Sequence, residues 1–245
     1  MRAKGGEIMN IKKILVGAAA SALMLASSVF PTLATSPFVT DLSNNNWRVF
    51  NINADEAKLW DINKAPSLDA GGLGFTFNPL STGWYSVYLN TNYGDLSDKT
   101  TITAATSWTA STDYVNRNGT PDGAYFRLYF QSAQGNYTSN DYWWNTQYLD
   151  LNGVSSGTLT GDLTVRTQWT NLCGQRADDI VAHPGPNCVG GTDPDVSPSD
   201  GFDNAKRNVK DVGLSFGRAS RYASGVAIDD TVPASFQLNS FTVTP

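Results

Sequence analysis

One predicted strand carries side chains that could hold a ligand through planar and polar contacts. In the segment Ala124–Gln131 apolar and polar residues alternate, so the two sets point to opposite faces of a strand. Phe126, Leu128 and Phe130 form the set that we expect in the core. The other set offers two phenol rings, a guanidinium and an amide: Tyr125, Arg127, Tyr129 and Gln131. Ring faces suit the C–H surface of a sugar and planar polar groups suit its hydroxyl pairs, which makes this face a candidate ligand-binding surface.

A second segment repeats part of this pattern. Within Leu163–Trp169, Arg166 and Gln168 alternate with apolar or β-branched residues. If this strand lies beside Ala124–Gln131, the two polar faces combine into one binding platform. The alternative is an outer sheet face on which Tyr and Arg side chains only cover apolar surface.

The segment Tyr142–Tyr148 places two tryptophans on opposite faces of one strand, so one of them must be core. Alternation groups Trp143 with Asn145 and Gln147, which is a more ligand-like set than the one that contains Trp144. We therefore predict that Trp143 and Asn145 face the ligand. A change of phase at the end of the segment leaves the opposite assignment open.

Oxygen donors for a metal ion are concentrated in one loop. Four aspartates fall within eleven residues among Gly, Pro and Ser: Asp193, Asp195, Asp200 and Asp203. Calcium accepts about six to eight oxygen ligands in flexible geometry, so this loop is a candidate structural calcium site. The spacing does not match an EF-hand, because Pro198 stands where that loop has Gly and Asn204 stands where it has Glu. The alternative is a solvated acidic loop.

Residue types that commonly transfer protons are scarce. After the first 34 residues the chain has one Glu, Glu56, and one His, His183. Gly153–Gly157 matches the G-x-S-x-G pattern, but a nucleophile elbow needs a helix next, and Thr158–Gly161 is typical of a strand or turn. Glycoside hydrolysis needs two placed carboxylates, and no pair stands out among twenty aspartates. We therefore expect no catalytic activity, and a polysaccharide-acting hydrolase or lyase is the third hypothesis for function.

These side chains belong to a chain whose pattern predicts β-strands. Short runs with period-two alternation, rich in β-branched and aromatic residues, are separated by Gly, Asn, Asp, Ser and Pro. The predicted strands are Asn46–Ile52, Ala57–Ile62, Leu73–Asn78, Trp84–Leu89, Thr100–Thr106, Ala124–Gln131, Tyr142–Leu151, Thr158–Gln168, Val209–Phe216, Tyr222–Ile228 and Ser235–Thr244. We find no convincing helix beyond the N-terminal segment, and a shift of phase between Leu238 and Phe241 indicates a β-bulge. The sequence therefore predicts an all-β, antiparallel β-sandwich.

Three of these segments carry a resemblance to a known group of folds: the early strand Asn46–Phe50, the middle strand Gly123–Phe130 and the closing strand Phe236–Val243. In pattern, the chain resembles the jelly-roll sandwiches of the galactose-binding-like group, which includes many carbohydrate-binding modules. The resemblance implies an antiparallel jelly roll, sugar binding on a concave sheet face or at the loop rim, and in many cases a structural calcium ion. Other members only attach proteins to surfaces, so the fold alone does not fix the ligand.

The N-terminus predicts export. Lys12 and Lys13 precede the apolar run Ile14–Ala26, and small residues lead to Ala34, after which we place the cleavage of a signal peptide, residues 1–34. A run of about 13 residues is too short for a transmembrane helix, which needs about 20. We expect the mature protein, residues 35–245 in a single domain, to be secreted and extracellular or held at the cell surface, with no membrane insertion.

Export favours a disulfide between Cys173 and Cys188, the two cysteines of the chain. We expect this bond to pin part of a long irregular loop, residues 171–203, inside the domain. The alternative is a metal site with two cysteine ligands, which lacks further thiols.

Charge excludes some classes of partner. Without the first 34 residues, which hold four basic and one acidic residue, the chain has 13 basic and 21 acidic residues and a net charge of −8. Phosphate backbones and anionic membrane surfaces repel a protein of this charge, so we expect no nucleic-acid partner.

Together these observations predict a secreted, non-catalytic protein that binds a polysaccharide or another glycan. The alternative is a structural or adhesion protein of a cell surface or extracellular matrix. The two differ in the partner that the outward polar face would recognise.

Overall fold

The computed structural model describes residues 38–39, 47–52, 61–64, 67–69, 72–77, 79–80, 84–117, 123–133, 138–182, 196–219, 224–231 and 233–245. The predicted signal peptide and Cys188 lie outside these ranges, so export and the disulfide stay predictions. Every described residue belongs to one compact unit, Thr35–Pro245. No helix in the described ranges is long and apolar enough to cross a membrane.

The described residues form sixteen strands and one α-helix. The strands are β1 (Phe38–Val39), β2 (Trp47–Ile52), β3 (Asp61–Lys64), β4 (Ser67–Asp69), β5 (Gly72–Phe77), β6 (Trp84–Gly94), β7 (Thr101–Trp108), β8 (Tyr114–Asn116), β9 (Tyr125–Ser132), β10 (Tyr142–Asn145), β11 (Leu149–Asp150), β12 (Ser156–Asp162), β13 (Trp169–Asn171), β14 (Val209–Gly217), β15 (Val226–Ile228) and β16 (Ala234–Thr244). The helix is α1 (Pro198–Arg207), and single 3-10 turns occur at Ser139–Asp141 and Arg166–Gln168.

The strands build two antiparallel sheets. The small sheet has the order β12-β7-β16-β5-β4, with β1 also paired to β16. The large sheet has the order β13-β10-β9-β14-β6-β15-β8, with β11 on β9, β2 on β6 and β3 on β2. The chain crosses between the sheets from β5 to β6, from β6 to β7 and from β7 to β8, as in a jelly roll. The prediction of an all-β antiparallel sandwich is confirmed.

The core lies between the two sheets and is rich in aromatic rings. The reason is the alternation of the strands, which sends every second side chain inward from each sheet. Phe236 of β16 is fully buried, and its ring centroid lies 5.2 to 6.2 Å from five others. These five rings belong to Phe75, Phe77, Trp108, Phe126 and Phe216. The core therefore ties both sheets together through edge-to-face ring contacts.

The closing strand contains the predicted bulge. The register of β16 against β7 shifts between Leu238 and Ser240. Because of this extra residue, both Leu238 and Phe241 point into the core, although simple alternation would put them on opposite faces. The predicted β-bulge is confirmed.

The sequence predicted no helix after the N-terminal segment, and this prediction is wrong, since α1 lies there. Ser197 caps α1, since its hydroxyl accepts a hydrogen bond of 3.1 Å from the backbone N–H of Asp200. Pro198 occupies the first turn, where a backbone N–H has no partner within the helix, so the missing N–H costs nothing. Phe202 and Ala205 lie three residues apart on one side of the helix, and both side chains are buried. The Pro, Gly and Asp content suggested a loop, whereas the cap signals were the informative feature.

Gly213, at the centre of the large sheet, allows β14 to approach β6 closely. A Cβ atom at this position would lie 2.1 Å from the backbone oxygen of Tyr88. We expect Gly213→Ala to lower the free energy of unfolding by about 2 kcal/mol or more, because backbone atoms must move to admit the methyl group. Urea denaturation measures this change. Gly153→Ala is the control, since its nearest neighbour would lie 3.5 Å away, and an equal loss in both variants would contradict the prediction.

Candidate functional site

The four ligand residues predicted on β9 lie on the outer face of the large sheet, because their sequence neighbours fill the core. They are Tyr125, Arg127, Tyr129 and Gln131. Arg127 is 4% and Tyr129 3% exposed, whereas Tyr125 and Gln131 are half-buried. The expectation of an open platform along the whole strand is therefore wrong: its ends are accessible and its middle is covered.

At one end of β9 the side chains of Tyr125, Arg127 and Tyr148 meet, and we call this group the Tyr–Arg cluster. Tyr148 lies in the connection between β10 and β11 and is 45% exposed. Its ring meets that of Tyr125 edge-on at a centroid distance of 4.8 Å. The guanidinium carbon of Arg127 lies 5.1 Å from the centre of the Tyr148 ring, within the range of cation–π attraction. The cluster thus holds an exposed ring in a defined orientation.

Backbone features position this cluster. Gly123 has a φ of 67°, and a Cβ atom there would lie 2.6 Å from the ring of Tyr125, so the ring lies directly over this glycine. Arg127 donates a hydrogen bond of 3.2 Å to the backbone oxygen of Ala219. Alternation in the sequence found Tyr125 and Arg127 but placed Tyr148 in the less ligand-like set, since a loop brings it to them.

The other end of β9 carries a second group, which we call the acid–aromatic cluster: Tyr129, Gln131, Tyr142, Trp144 and Asp211. In the register of the sheet, Gln131 stands between Asp211 of β14 and Tyr142 of β10. Tyr129 is paired with Trp144 of β10 in the next row of the same face. Neighbouring strands lie about 4.8 Å apart, so this register brings the five side chains together on one face.

The rings of this cluster contact one another. The centroids of Tyr129 and Trp144 are 5.0 Å apart, and those of Tyr142 and Trp144 are 6.2 Å apart with nearly parallel planes. The hydroxyl of Tyr129 donates a hydrogen bond of 2.8 Å to Oε1 of Gln131. Apolar side chains of β6 pack beside these rings, so the cluster forms a small second hydrophobic core on the outer face.

Asp211 is the unusual member of the cluster. Its side chain is 5% exposed, and its Oδ1 atom is buried without a hydrogen-bond partner in the described part of the chain. Burial raises the pKa of the Asp211 carboxyl to about 6, against a smaller lowering by Lys210. Burial also raises the pKa of the Tyr129 phenol, and Asp211 adds to this effect. We did not predict Asp211 from the sequence, although it shares the outward side of β14 with Gly213 and Ser215.

The prediction for Trp143 and Asn145 is wrong. Both lie on the inner face of the large sheet and are 0% and 1% exposed. The indole N–H of Trp143 donates a hydrogen bond of 2.6 Å to the backbone oxygen of Asn140, which satisfies it inside the core. Trp144 instead points to the outer face, where the register pairs it with Tyr129, but it is only 2% exposed.

The prediction that Arg166 and Gln168 extend the β9 platform is also wrong. The segment forms a 3-10 turn rather than a strand, and Arg166 binds α1 through Ser199 and an ion pair of 2.6 Å with Asp203. Gln168 accepts a hydrogen bond of 3.2 Å from the backbone N–H of Asp162, on the edge strand β12. The alternation is present in the sequence, but both side chains make contacts within the protein and do not extend the face of β9.

The calcium prediction falls partly outside the described residues, since Asp193 and Asp195 are not described. Of the other two aspartates, Asp203 pairs with Arg166 and Asp200 accepts a hydrogen bond of 2.9 Å from the hydroxyl of Ser197. In the described ranges no group of three His, Cys, Asp or Glu side chains could hold a metal ion. Calcium binding by this loop stays a prediction.

Comparisons with known proteins add little to this site. The chain matches no protein-family model and no curated protein. A solved structure titled "Native virion of Kashmir bee virus at neutral pH" aligns with 97% of this chain and 80% of its own at 9% identity. The TM-score of that alignment is 0.27.

Proposed function

We propose that the protein is an exported, non-catalytic glycan-binding protein whose ligand lies against the Tyr–Arg cluster. One observation supports this proposal above the others: Tyr148 is 45% exposed while Tyr125 and Arg127 hold its ring. A ring fixed before binding loses little conformational freedom when a sugar stacks on it. The hydroxyl of Tyr148 can donate to or accept from a sugar hydroxyl, while Arg127, itself 4% exposed, supports the ring through a cation–π contact. The exposed ring face and its hydroxyl are the apolar and polar parts of a sugar contact.

Tyr148→Ala tests the proposal. We expect the variant to fold normally, because the side chain is largely exposed, and to lose about tenfold or more in affinity for the glycan, as stacked rings are often the dominant contacts of an interface. A glycan array with residues 35–245 identifies the ligand, and calorimetry with the best glycan measures the change. The control is Val154→Ala, which removes an exposed apolar side chain elsewhere, since Val154 is 53% exposed.

The outcomes separate the alternatives. If Tyr148→Ala binds the glycan with unchanged affinity, the ligand binds elsewhere on the protein and not at the Tyr–Arg cluster. Failure of the wild-type protein to bind any glycan would reject the proposal, and release of reducing ends from a polysaccharide would instead identify an enzyme.

A second candidate is a structural or adhesion protein. Its support is the exposure of Ile180 and Val181, which are 80% and 53% exposed next to each other in one loop. Adjacent exposed apolar side chains are typical of protein contacts. Self-association that rises with concentration, and that Ile180→Ser abolishes, would favour this candidate over the first.

A further inference from the structure

Strand β12 is the longest of the strands that end a sheet in the described part of the chain. It has seven residues, whereas β4, β8 and β13 at the other sheet ends have three each. An edge strand presents N–H and C=O groups to which a strand of another molecule can add. β12 lacks the Lys and Pro that often prevent this, and its one charged residue is the last, Asp162. Such an edge needs another form of protection.

Alternate residues of β12 direct their backbone groups away from β7, toward the edge of the sheet. The N–H of Leu163, directly after the strand, donates to the backbone oxygen of Thr100 at 2.7 Å, on the β7 side. Because this direction alternates along an antiparallel strand, the even-numbered residues from Ser156 to Asp162 point the other way. Their N–H and C=O groups are the ones that a second molecule could meet.

Side chains that precede or begin strands of the large sheet already occupy half of this edge, and we call them the edge cap: Gln147, Gln168 and Trp169. The backbone N–H of Thr160 donates a hydrogen bond of 3.2 Å to Oε1 of Gln147, and that of Asp162 donates one of 3.2 Å to Oε1 of Gln168. The indole N–H of Trp169 donates to the backbone oxygen of Asp162 at 2.8 Å. Asp162 thus has both backbone groups paired, as it would opposite a neighbouring strand.

The fold holds the edge cap in place. Trp169 is fully buried at the start of β13. The backbone N–H of Thr146 donates to the backbone oxygen of Gln168 at 2.8 Å, which joins the segment that carries Gln147 to the segment that carries Gln168. A Cβ atom at Gly161 would lie 2.8 Å from the ring of Trp169, so glycine lets this ring approach β12. The three side chains are therefore fixed by contacts on both sides of the sandwich.

We propose that the edge cap takes the place of a strand beside β12 and prevents β12 from pairing with β12 of a second copy of this chain. Glycan binding at the Tyr–Arg cluster is not needed for this role. A second copy fits the edge, because a two-fold axis makes the two β12 strands antiparallel and places the two Asp162 side chains at opposite ends of the pair. The remaining outward side chains are uncharged Ser and Thr, so no like charges oppose each other across the new pair.

Removal of both glutamine acceptors tests this role. The double variant Gln147→Ala/Gln168→Ala frees the backbone N–H groups of Thr160 and Asp162. We expect it to self-associate with a dissociation constant at least about tenfold lower than that of the wild-type protein, measured by sedimentation velocity as a function of concentration. Gln131→Ala is the matched control, because the Oε1 of this half-buried glutamine accepts from the Tyr129 hydroxyl and not from a strand edge.

Amide hydrogen exchange, followed by NMR, locates the contact. In the dilute double variant the amides of Thr160 and Asp162 should exchange faster than in the wild-type protein, because their acceptors are gone. At high concentration these amides and that of Thr158 should become protected, since a partner strand would then accept from them. The control variant should show neither change.

A double variant that stays as monomeric as the wild-type protein would overturn the proposal. Association that leaves the three edge amides unprotected, or that Ile180→Ser abolishes, would also overturn it, because the contact would lie elsewhere. If the double variant does not fold, Gln147→Ala decides, since Gln147 is exposed. Protection of the Thr160 amide that rises with concentration in this variant would support the role, and its absence would reject it.

Discussion

Phe236→Ala lowers the free energy of unfolding by about 3 to 5 kcal/mol, which is the expected cost of removing a buried ring and leaving a cavity. The loss is expected to lie near the upper end, because the ring is fully buried and contacts rings from both sheets. Phe126 and Phe216 come from the large sheet, and Phe75 comes from the small one. Few of these neighbours can move into the cavity without leaving their own contacts.

Urea denaturation followed by tryptophan fluorescence measures this effect. Phe236→Leu is the graded variant and is expected to lose less, because it refills part of the volume. Tyr148→Ala, an exposed aromatic truncation, is expected to change stability little. Equal losses in Phe236→Ala and Tyr148→Ala would mean that the ring cluster between the sheets does not hold the sandwich together.

Asp211→Asn stabilises the protein at neutral pH by about 3 kcal/mol, and the gain disappears toward low pH. The pKa of Asp211 is about 6 in the folded protein, above its ordinary value of 3.8. The folded state therefore binds the proton more tightly than the unfolded state does. This contribution to stability is fully present below about pH 4 and is lost as the pH rises through about 6. Asn does not titrate, so the variant avoids the loss.

The measurement is the difference in free energy of unfolding between variant and wild type at several pH values between about 4 and about 8. Asp98→Asn provides a control of opposite sign, because the hydrogen bond from Lys99 lowers the pKa of Asp98. A difference for Asp211→Asn that does not change with pH would show that this carboxyl is not buried in solution.

Local alternation was enough to predict most of the strands. The segments predicted as Asn46–Ile52, Val209–Phe216 and Ser235–Thr244 agree with β2, β14 and β16 to within one residue at each end. Period-two alternation is a property of neighbouring residues, so it can be read without knowing the partners of a strand. The bulge in β16 was predictable for the same reason, because the alternation of apolar and polar residues changes phase between Leu238 and Phe241.

The ends of strands and the helix needed more than alternation. The predicted strand Thr158–Gln168 ends at Asp162, and its second half turns so that Arg166 can reach α1. The helix itself escaped notice because Pro198 and Gly201 suggested a loop. Gly201 is needed where it lies, since a Cβ atom there would be 2.5 Å from Asn140. That close approach exists only in the folded protein.

The sequence by itself determined the β-sandwich class and the outward direction of Tyr125, Arg127, Tyr129 and Gln131, because both follow from alternation along one strand. Only the tertiary structure decided which of these side chains is accessible and what joins them. Trp144 rather than Trp143 faces outward because the register between β10 and β9 pairs it with Tyr129. Asp211 enters the site because β14 lies beside β9, although about 80 residues separate them in the chain. Register and strand order depend on contacts between segments that are far apart in the chain, and no repeating pattern in the sequence identifies those contacts.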